Sequence, residues 1–338
     1  MELRMKKKYR NAVILTFSLF ISGGAVVNAA STTKSSWLNC NVNSCTEGGS
    51  ATVKSSYAKT KYPIILAHGM AGFSAVGPLQ YWNGITEDLV ANGANVYVAQ
   101  QASFNSSELR GEQLLLQVKQ ILAITGAEKV NLIGHSHGSQ SVRYVAGLIP
   151  NKVASVTSVG GPNKGSPVAD FVYNLTQSPI APILDPGVSS AVNVFFSLVG
   201  IGSGHYYDQN SVAGLYSLTT AGAADFNRRF SAGVPVTECG SGDELVKGVR
   251  YYSWGGTSPA TNIFDPFDSG LLALSLLIPS QSDGLVSRCS NHLGTVIRDN
   301  YAFNHLDEVN QTLGLVGFLQ NPVTPYRLQA NRLKNLGL

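Results

Sequence analysis

Lys129-Val130-Asn131-Leu132-Ile133-Gly134-His135-Ser136-His137-Gly138 is the stretch that decides the fold. Its first half is apolar and β-branched and reads as a buried strand; past Gly138 the pattern is helical as far as Ile149. Gly-x-Ser-x-Gly alone is a weak signal in a chain with 35 glycines. Set between a strand and a helix it takes the form of a nucleophile elbow, a sharp turn that lifts the Ser136 hydroxyl above the edge of a sheet. The glycines relieve clashes inside that turn. The helix behind it points its positive end at charge developing on an oxygen.

Further strands lie outward on both sides: Pro63–Ala67, Asn95–Ala99, Val153–Val159, Val249–Trp254 and a last one at Thr295–Arg298. A helix from Glu108 to Ile124, closed by Gly126, and other helix-length segments separate them. Strands joined by crossovers of that length form a largely parallel sheet with helices on both faces. With the elbow, this predicts an α/β-hydrolase fold. Residues 57–338 read as one domain. About 168–219 is nearly free of charge, carries Pro179, Pro182 and Pro186, and reads as a lid or cap inserted over the sheet. Residues 30–56 are polar and read as a poorly structured extension.

The 338 residues are 44% hydrophobic and 13% charged, which excludes disorder as the main state. Residues 1–29 have the three parts of a secretory signal: five basic residues, an apolar run from Ala12 to Val27, and Val27-Asn28-Ala29 for cleavage after Ala29 or Ala30. Removing them takes five of 24 basic and one of 20 acidic residues, so the net charge of +4 becomes zero. Nucleic-acid binding then has no support. Leu271–Ile278, the longest later apolar run, is too short for a membrane span. Export to an oxidising compartment makes the four cysteines candidate disulfides. Of three possible pairings the economical one is Cys40–Cys45 with Cys239–Cys289.

An acyl-transfer site needs two N–H donors for the tetrahedral oxygen. His137, after the serine, and Met70, in the loop after the first strand, supply them in this fold. Chain order places the acid and then the base after the serine. His205, His292 and His305 remain as bases. His305, in a loop between the last strand and a helical stretch from Leu306 to Phe318, is favoured. Asp265, Asp268, Asp283 and Asp299 all qualify as the acid; Asp283, before Gly284, is preferred among them.

With Ser136, Asp283 and His305 in view, the chain resembles the secreted, chaperone-dependent triacylglycerol lipases of Gram-negative bacteria, the Pseudomonas–Burkholderia family. Lys61-Tyr62-Pro63 through Met70, Arg110 through Leu115, Val130 through Gly138, Tyr251 through Trp254 and Val296 through Gln311 carry the resemblance, which runs from about Thr60 to the C-terminus. It implies Ser136 as nucleophile, His305 as base, Asp283 as its orienting acid, and oxyanion donors at Met70 and His137. It also implies the Cys239–Cys289 bridge and a structural calcium ion held by the carboxylates of Asp265 and Asp307 and the backbone oxygens of Gln311 and Leu315. Calcium takes several oxygen ligands, and Asp307 stands two residues from His305. The expected partners are a long-chain ester at an oil–water interface and a periplasmic foldase, with no nucleic acid, no stable membrane span and a monomeric chain. Pro179–Tyr207 matches the family poorly. The competing readings are an esterase or polyester depolymerase and, in another class, a non-catalytic module on a hydrolase fold.

Overall fold

A computed structural model describes residues 33–76, 79–177 and 207–338. The leader, most of the inserted lid and His205 lie outside the described residues. Among the described residues no helix is long and apolar enough to cross a membrane.

Strands β1 (Lys34–Cys40), β2 (Cys45–Thr52), β3 (Ile64–Ala67), β6 (Val96–Ala99), β7 (Val130–His135), β8 (Val153–Val159), β10 (Val249–Gly256) and β11 (Thr295–Tyr301) form the sheet. Their order is β11-β10-β8-β7-β3-β6-β1-β2, with the two-residue β9 (Leu245–Val246) antiparallel to the start of β10. All neighbours along this path are parallel except β1 and β2. A hairpin of β4 (Ala75–Val76) and β5 (Leu79–Gln80) stands apart.

Every residue of β3, β6, β7 and β8 is buried, as in a sheet covered on both faces. Ile64 and Leu66 point into one core with Trp82, Tyr326, and Ile85 and Leu89 of helix α1 (Ile85–Ala91). Ile65 and Ala67 point the other way. They meet Leu114 and Val118 of α2 (Ser107–Thr125) and Val142 and Val145 of α3 (Gly138–Leu148). Alternation along a four-residue strand thus divides two cores. A third cluster joins α4 (Pro167–Thr176), α5 (Ser211–Leu218) and α7 (Asp268–Ser275) above the sheet; α6 (Thr220–Arg229) follows α5. The last helix, α8 (Val323–Asn335), packs Tyr326 and Ala330 into the first core.

Connections leave β3 toward β6 on one side, and the chain returns to β7 on the other. The carboxyl ends of β3 and β7 therefore flank the point where strand order reverses, the position at which open α/β sheets place ligands.

Two expectations need correction. Of the segment 30–56, read from the sequence as a poorly structured extension, the described residues 33–56 are ordered. They contribute β1, which pairs with β6, and β2, which closes that edge, so the compact unit begins at Thr33. Only Trp37 and Cys40 of β1 are buried, which is why so polar a segment concealed a strand. Nor does a helix follow His305 from Leu306 to Phe318. A single 3-10 turn, Asp307–Val309, ends at Asn310 in the left-handed region (φ 59°), and Leu313, Gly314 and Leu319 share that sign. Both anticipated disulfides, Cys40–Cys45 and Cys239–Cys289, are formed.

Candidate active site

Ser136 sits at the carboxyl end of β7 with φ 53°, a left-handed conformation that a side chain other than glycine's rarely adopts. Its neighbours show how the turn is kept. Ser136 N–H donates to Val159 O at 2.9 Å, and Ser139 N–H returns to Ser136 O at 2.9 Å. A Cβ on Gly134 would stand 2.3 Å from Gly138 O, and one on Gly138 only 2.2 Å from Ala67 O. Backbone cannot yield at those distances, so the two glycines of the motif are fixed by packing. Ser139 Oγ donates to Gly134 O at 3.0 Å.

Asp283 and His305, 22 residues apart, meet. His305 Nδ1 lies 2.7 Å from Asp283 Oδ2, and His305 N–H donates to Asp283 O at 2.9 Å. The other carboxylate oxygen, Asp283 Oδ1, accepts N–H bonds from Leu285 (2.8 Å) and Val286 (2.7 Å). Both side chains are buried. Ser136 and His305 line one pocket of about 190 Å³. Its remaining wall is mostly apolar, with Phe73, Val168, Leu218, Phe267 and Leu285.

The competing residues are engaged elsewhere. Asp299 pairs with Arg288 and lies 3.0 Å from His292 Nε2. Asp268 accepts from Asn304 Nδ2 and from the Asn262 amide. His68, His135 and His137 are buried, and desolvation holds each well below the ordinary imidazole pKa, His68 at about 3.

Met70 follows β3 and lines the pocket, and His137 stands at the first turn of α3. Among the described residues neither backbone N–H donates to an acceptor. The Arg110 guanidinium, fully buried, ties down the loop before Met70. It donates to His68 O (2.5 Å), Gly69 O (3.1 Å) and Ala102 O (2.6 Å), and burial lowers its pKa to about 9. Gly69 packs against the serine so closely that a Cβ there would meet Ser136 Cβ at 2.8 Å.

Three residues to which the sequence assigned no role complete the surroundings. Tyr81 Oη accepts Gly69 N–H at 3.0 Å and lies 2.7 Å from His135 Nδ1. His135 Nε2 is 3.0 Å from His305 O, which fixes Nε2 as the protonated nitrogen and leaves Nδ1 to accept from Tyr81. Glu308 Oε2 is 3.3 Å from the same Nε2 and 3.9 Å from His305 Nδ1. Desolvation, then the charge of Asp283, pushes the Glu308 pKa well up. His135, His305 and Glu308 come within metal-ligating distance of one another, but Tyr81 and His305 O already engage both ring nitrogens of His135, and Asp283 engages Nδ1 of His305. The signal for these residues is tertiary: Tyr81 and His135 are 54 apart in sequence.

Asp265 and Asp307, the implied calcium carboxylates, are both buried, and Asp268 lies near enough to act on each. Burial, with the charges of Asp268 and Asp265, raises the Asp307 pKa to about 7. Asp307 Oδ2 accepts from Thr261 Oγ1 at 2.8 Å, whereas buried Asp307 Oδ1 has no hydrogen-bond partner. Gln311 and Leu315 lie on the adjoining loop, where Thr312 Oγ1 donates to Asp265 Oδ1 at 3.3 Å. Crowded buried carboxylates with an oxygen left over suit a hard cation.

The profile of the alpha/beta hydrolase fold family matches residues 62–309. The chain is 49% identical over 284 residues to a triacylglycerol lipase of Vibrio cholerae serotype O1, covering 83% of this chain and 90% of that protein. It is 42% identical to a triacylglycerol lipase of Burkholderia plantarii over 85% of this chain and 90% of the other. Among solved structures, the lipase of Staphylococcus hyicus superposes with a TM-score of 0.57 at 18% identity. That match covers 84% of this chain and 99% of that one, a likeness of fold.

Proposed function

The chain belongs to the α/β-hydrolase family, in the group of bacterial triacylglycerol lipases, and from that premise we propose that it cleaves triacylglycerol esters through a serine acyl-enzyme. The observation that carries the reading is the 2.7 Å contact between Asp283 Oδ2 and Nδ1 of His305, which lines one pocket with Ser136.

In this mechanism Asp283 holds the proton of His305 on Nδ1 and leaves Nε2 free to accept. His305 Nε2 takes the Ser136 Oγ proton as the oxygen attacks the ester carbonyl. The Met70 and His137 amides stabilise the oxyanion so formed. When the tetrahedral intermediate collapses, the carbon–oxygen bond to the alcohol breaks and the imidazolium returns the proton to that alcohol. Water then attacks the acyl-enzyme with His305 again the base, which releases a fatty acid and restores Ser136. The apolar wall of Phe73, Val168 and Leu285 suits an acyl chain.

Asp265 and Asp307, with carbonyl oxygens of Gln311 and Leu315, would hold the calcium ion, which supplies positive charge to neutralise the buried carboxylates. Its place beside His305 makes it a brace for the base loop, outside the chemical step. The export leader implies secretion, and the family implies a periplasmic foldase on the way.

Rates for Ser136→Ala and parent on a triacylglycerol chain-length series, above and below solubility, test the proposal. Loss of more than about a thousandfold in a folded variant is expected. Parent-like turnover by Ser136→Ala would refute the triad. Cleavage by the parent confined to soluble short-chain esters would favour the esterase reading. Absence of labelling by an active-serine organophosphorus probe in folded parent would favour a binding module.

A further inference from the structure

Two loops meet at the outer wall of the pocket and carry large apolar side chains into solvent. Ile263 and Phe264, just before Asp265, are 92% and 76% exposed. Leu313, Phe318 and Leu319 are 70%, 88% and 86% exposed. Isolated exposed apolar residues are ordinary, but five on two adjoining loops are not. The loops are fastened side by side: Asn262 Nδ2 donates to Val316 O at 3.1 Å, and a Cβ on Gly317 would contact Thr261 at 3.4 Å. The same segments continue into the site, because Phe267, Gln311 and Thr312 line the pocket and Thr312 hydrogen-bonds Asp265.

We propose that Ile263, Phe264, Leu313, Phe318 and Leu319 form a docking surface for the oil–water interface, beside the pocket that takes the ester. This rests on the lipase reading and names the surface by which that site meets its insoluble substrate. Chemistry selects the occupant. No charged residue occurs from Tyr251 to Phe264 or from Asn310 to Tyr326, so the loops offer no ion pairs with which to select a protein partner. A rimmed interface with a specific partner carries polar and charged groups around its apolar centre. An uncharged apolar surface inserts side chains into oil with no charge to desolvate. The loops that carry it also supply Phe267, Gln311 and Thr312 to the pocket wall, so oil docked on them lies beside the site that takes the ester.

The test measures adsorption apart from chemistry. Full-length Ser136→Ala is mixed with a gum-stabilised triolein emulsion, and the bound fraction is compared with that of Ser136→Ala also carrying Ile263→Ser, Phe264→Ser, Phe318→Ser and Leu319→Ser. The same four changes are placed in active enzyme and assayed on p-nitrophenyl butyrate below its solubility limit. The expected result is adsorption weakened at least tenfold, with kcat/KM on the soluble ester within about twofold of the parent. If the fourfold variant does not fold, the pair Phe264→Ser and Phe318→Ser carries the same comparison, with at least a threefold loss expected. Unchanged adsorption by a folded variant overturns the proposal. So does a parent dimer that the substitutions convert to monomer with adsorption intact, which would assign the patch to a second copy. Should the parent cleave no ester at all, the lipase reading fails while the adsorption comparison still reads the surface.

Discussion

Tyr81 Oη lies 2.7 Å from His135 Nδ1, and this contact joins the two halves of the candidate site. On one side the phenol oxygen accepts Gly69 N–H from the loop leading to Met70; on the other, His135 Nε2–H reaches His305 O. Donors run in one direction, from Gly69 through Tyr81 and His135 to His305, and only a neutral imidazole satisfies that sequence. Tyr81→Phe leaves Gly69 N–H and His135 Nδ1 buried without partners, at about 1–3 kcal/mol for each group. The expected result is a lower urea midpoint and a kcat on soluble ester reduced roughly tenfold, about 1.4 kcal/mol, with KM little changed. A variant with parent midpoint and parent kcat would show that the contact does not align the two loops.

Acid should unfold this protein through its buried histidines. His68 donates from Nδ1 to Gly69 O at 2.8 Å and accepts Gln101 N–H on Nε2 at 3.0 Å, so a second proton would face a donor. Burial, then Arg110, holds its pKa at about 3, against about 6.5 for an unfolded histidine. The depressed value sets the sign. Stability is complete above about pH 6.5 and is lost as pH falls toward 3, because the unfolded chain takes up the proton first. Each such histidine contributes a slope of up to about 1.4 kcal/mol per pH unit. His68→Gln should lower stability at pH 7 and flatten the slope between pH 6 and 4 by about one proton. Equal slopes for parent and variant, from denaturation at several pH values, would exclude His68 as the source.

The elbow, β3, β6, β8 and α2 were legible because each is a local pattern: a continuous apolar run, a helical spacing, a glycine in the cap. The family resemblance added Asp283 over its rivals, which spacing left open. Other parts depend on partners distant in sequence. The β1 strand exists because β6 offers it an edge, and its exposed residues mask the alternation. Helix α8 buries Tyr326 and Ala330 beneath a face rich in Arg, Lys and Asn. Glu308 reads locally as one more acid near His305. Only the fold encloses it, with Gly160 so close that a Cβ there would overlap the carboxylate.

Gly138 tests the elbow without touching the hydroxyl. An alanine there would place its Cβ 2.2 Å from Ala67 O, at the end of β3, and 2.8 Å from His68 O, in the loop that leads to Met70. Overpacking of this kind costs about 1–3 kcal/mol, and here it pushes the serine turn away from the proposed oxyanion donors. Gly138→Ala should lose stability in that range and lose kcat/KM on soluble ester by at least tenfold, whereas Ser139→Gly should change kcat/KM less than twofold. Full activity in Gly138→Ala would mean that the turn tolerates the shift.

Calcium removal should be felt as stability before it is felt as chemistry. Asp307 Oδ1 is buried without a donor and its carboxyl shares the site with Asp265 and Asp268, so an ion bound there relieves both desolvation and like-charge repulsion. An ion present at a hundredfold excess over its Kd stabilises by about 2.7 kcal/mol. For a chain of 338 residues that corresponds to roughly 4 °C in Tm. Chelation of the parent should therefore lower its Tm by about that amount, and calcium in excess should restore it. Asp307→Ala should melt near the chelated parent and respond to neither addition. Because Asp307 stands two residues from His305, chelated parent should also lose activity on soluble ester at temperatures well below its own Tm. A parent midpoint indifferent to chelator would remove the ion from this site and leave Thr261 Oγ1, 2.8 Å from Asp307 Oδ2, as one of the few groups steadying the carboxyl.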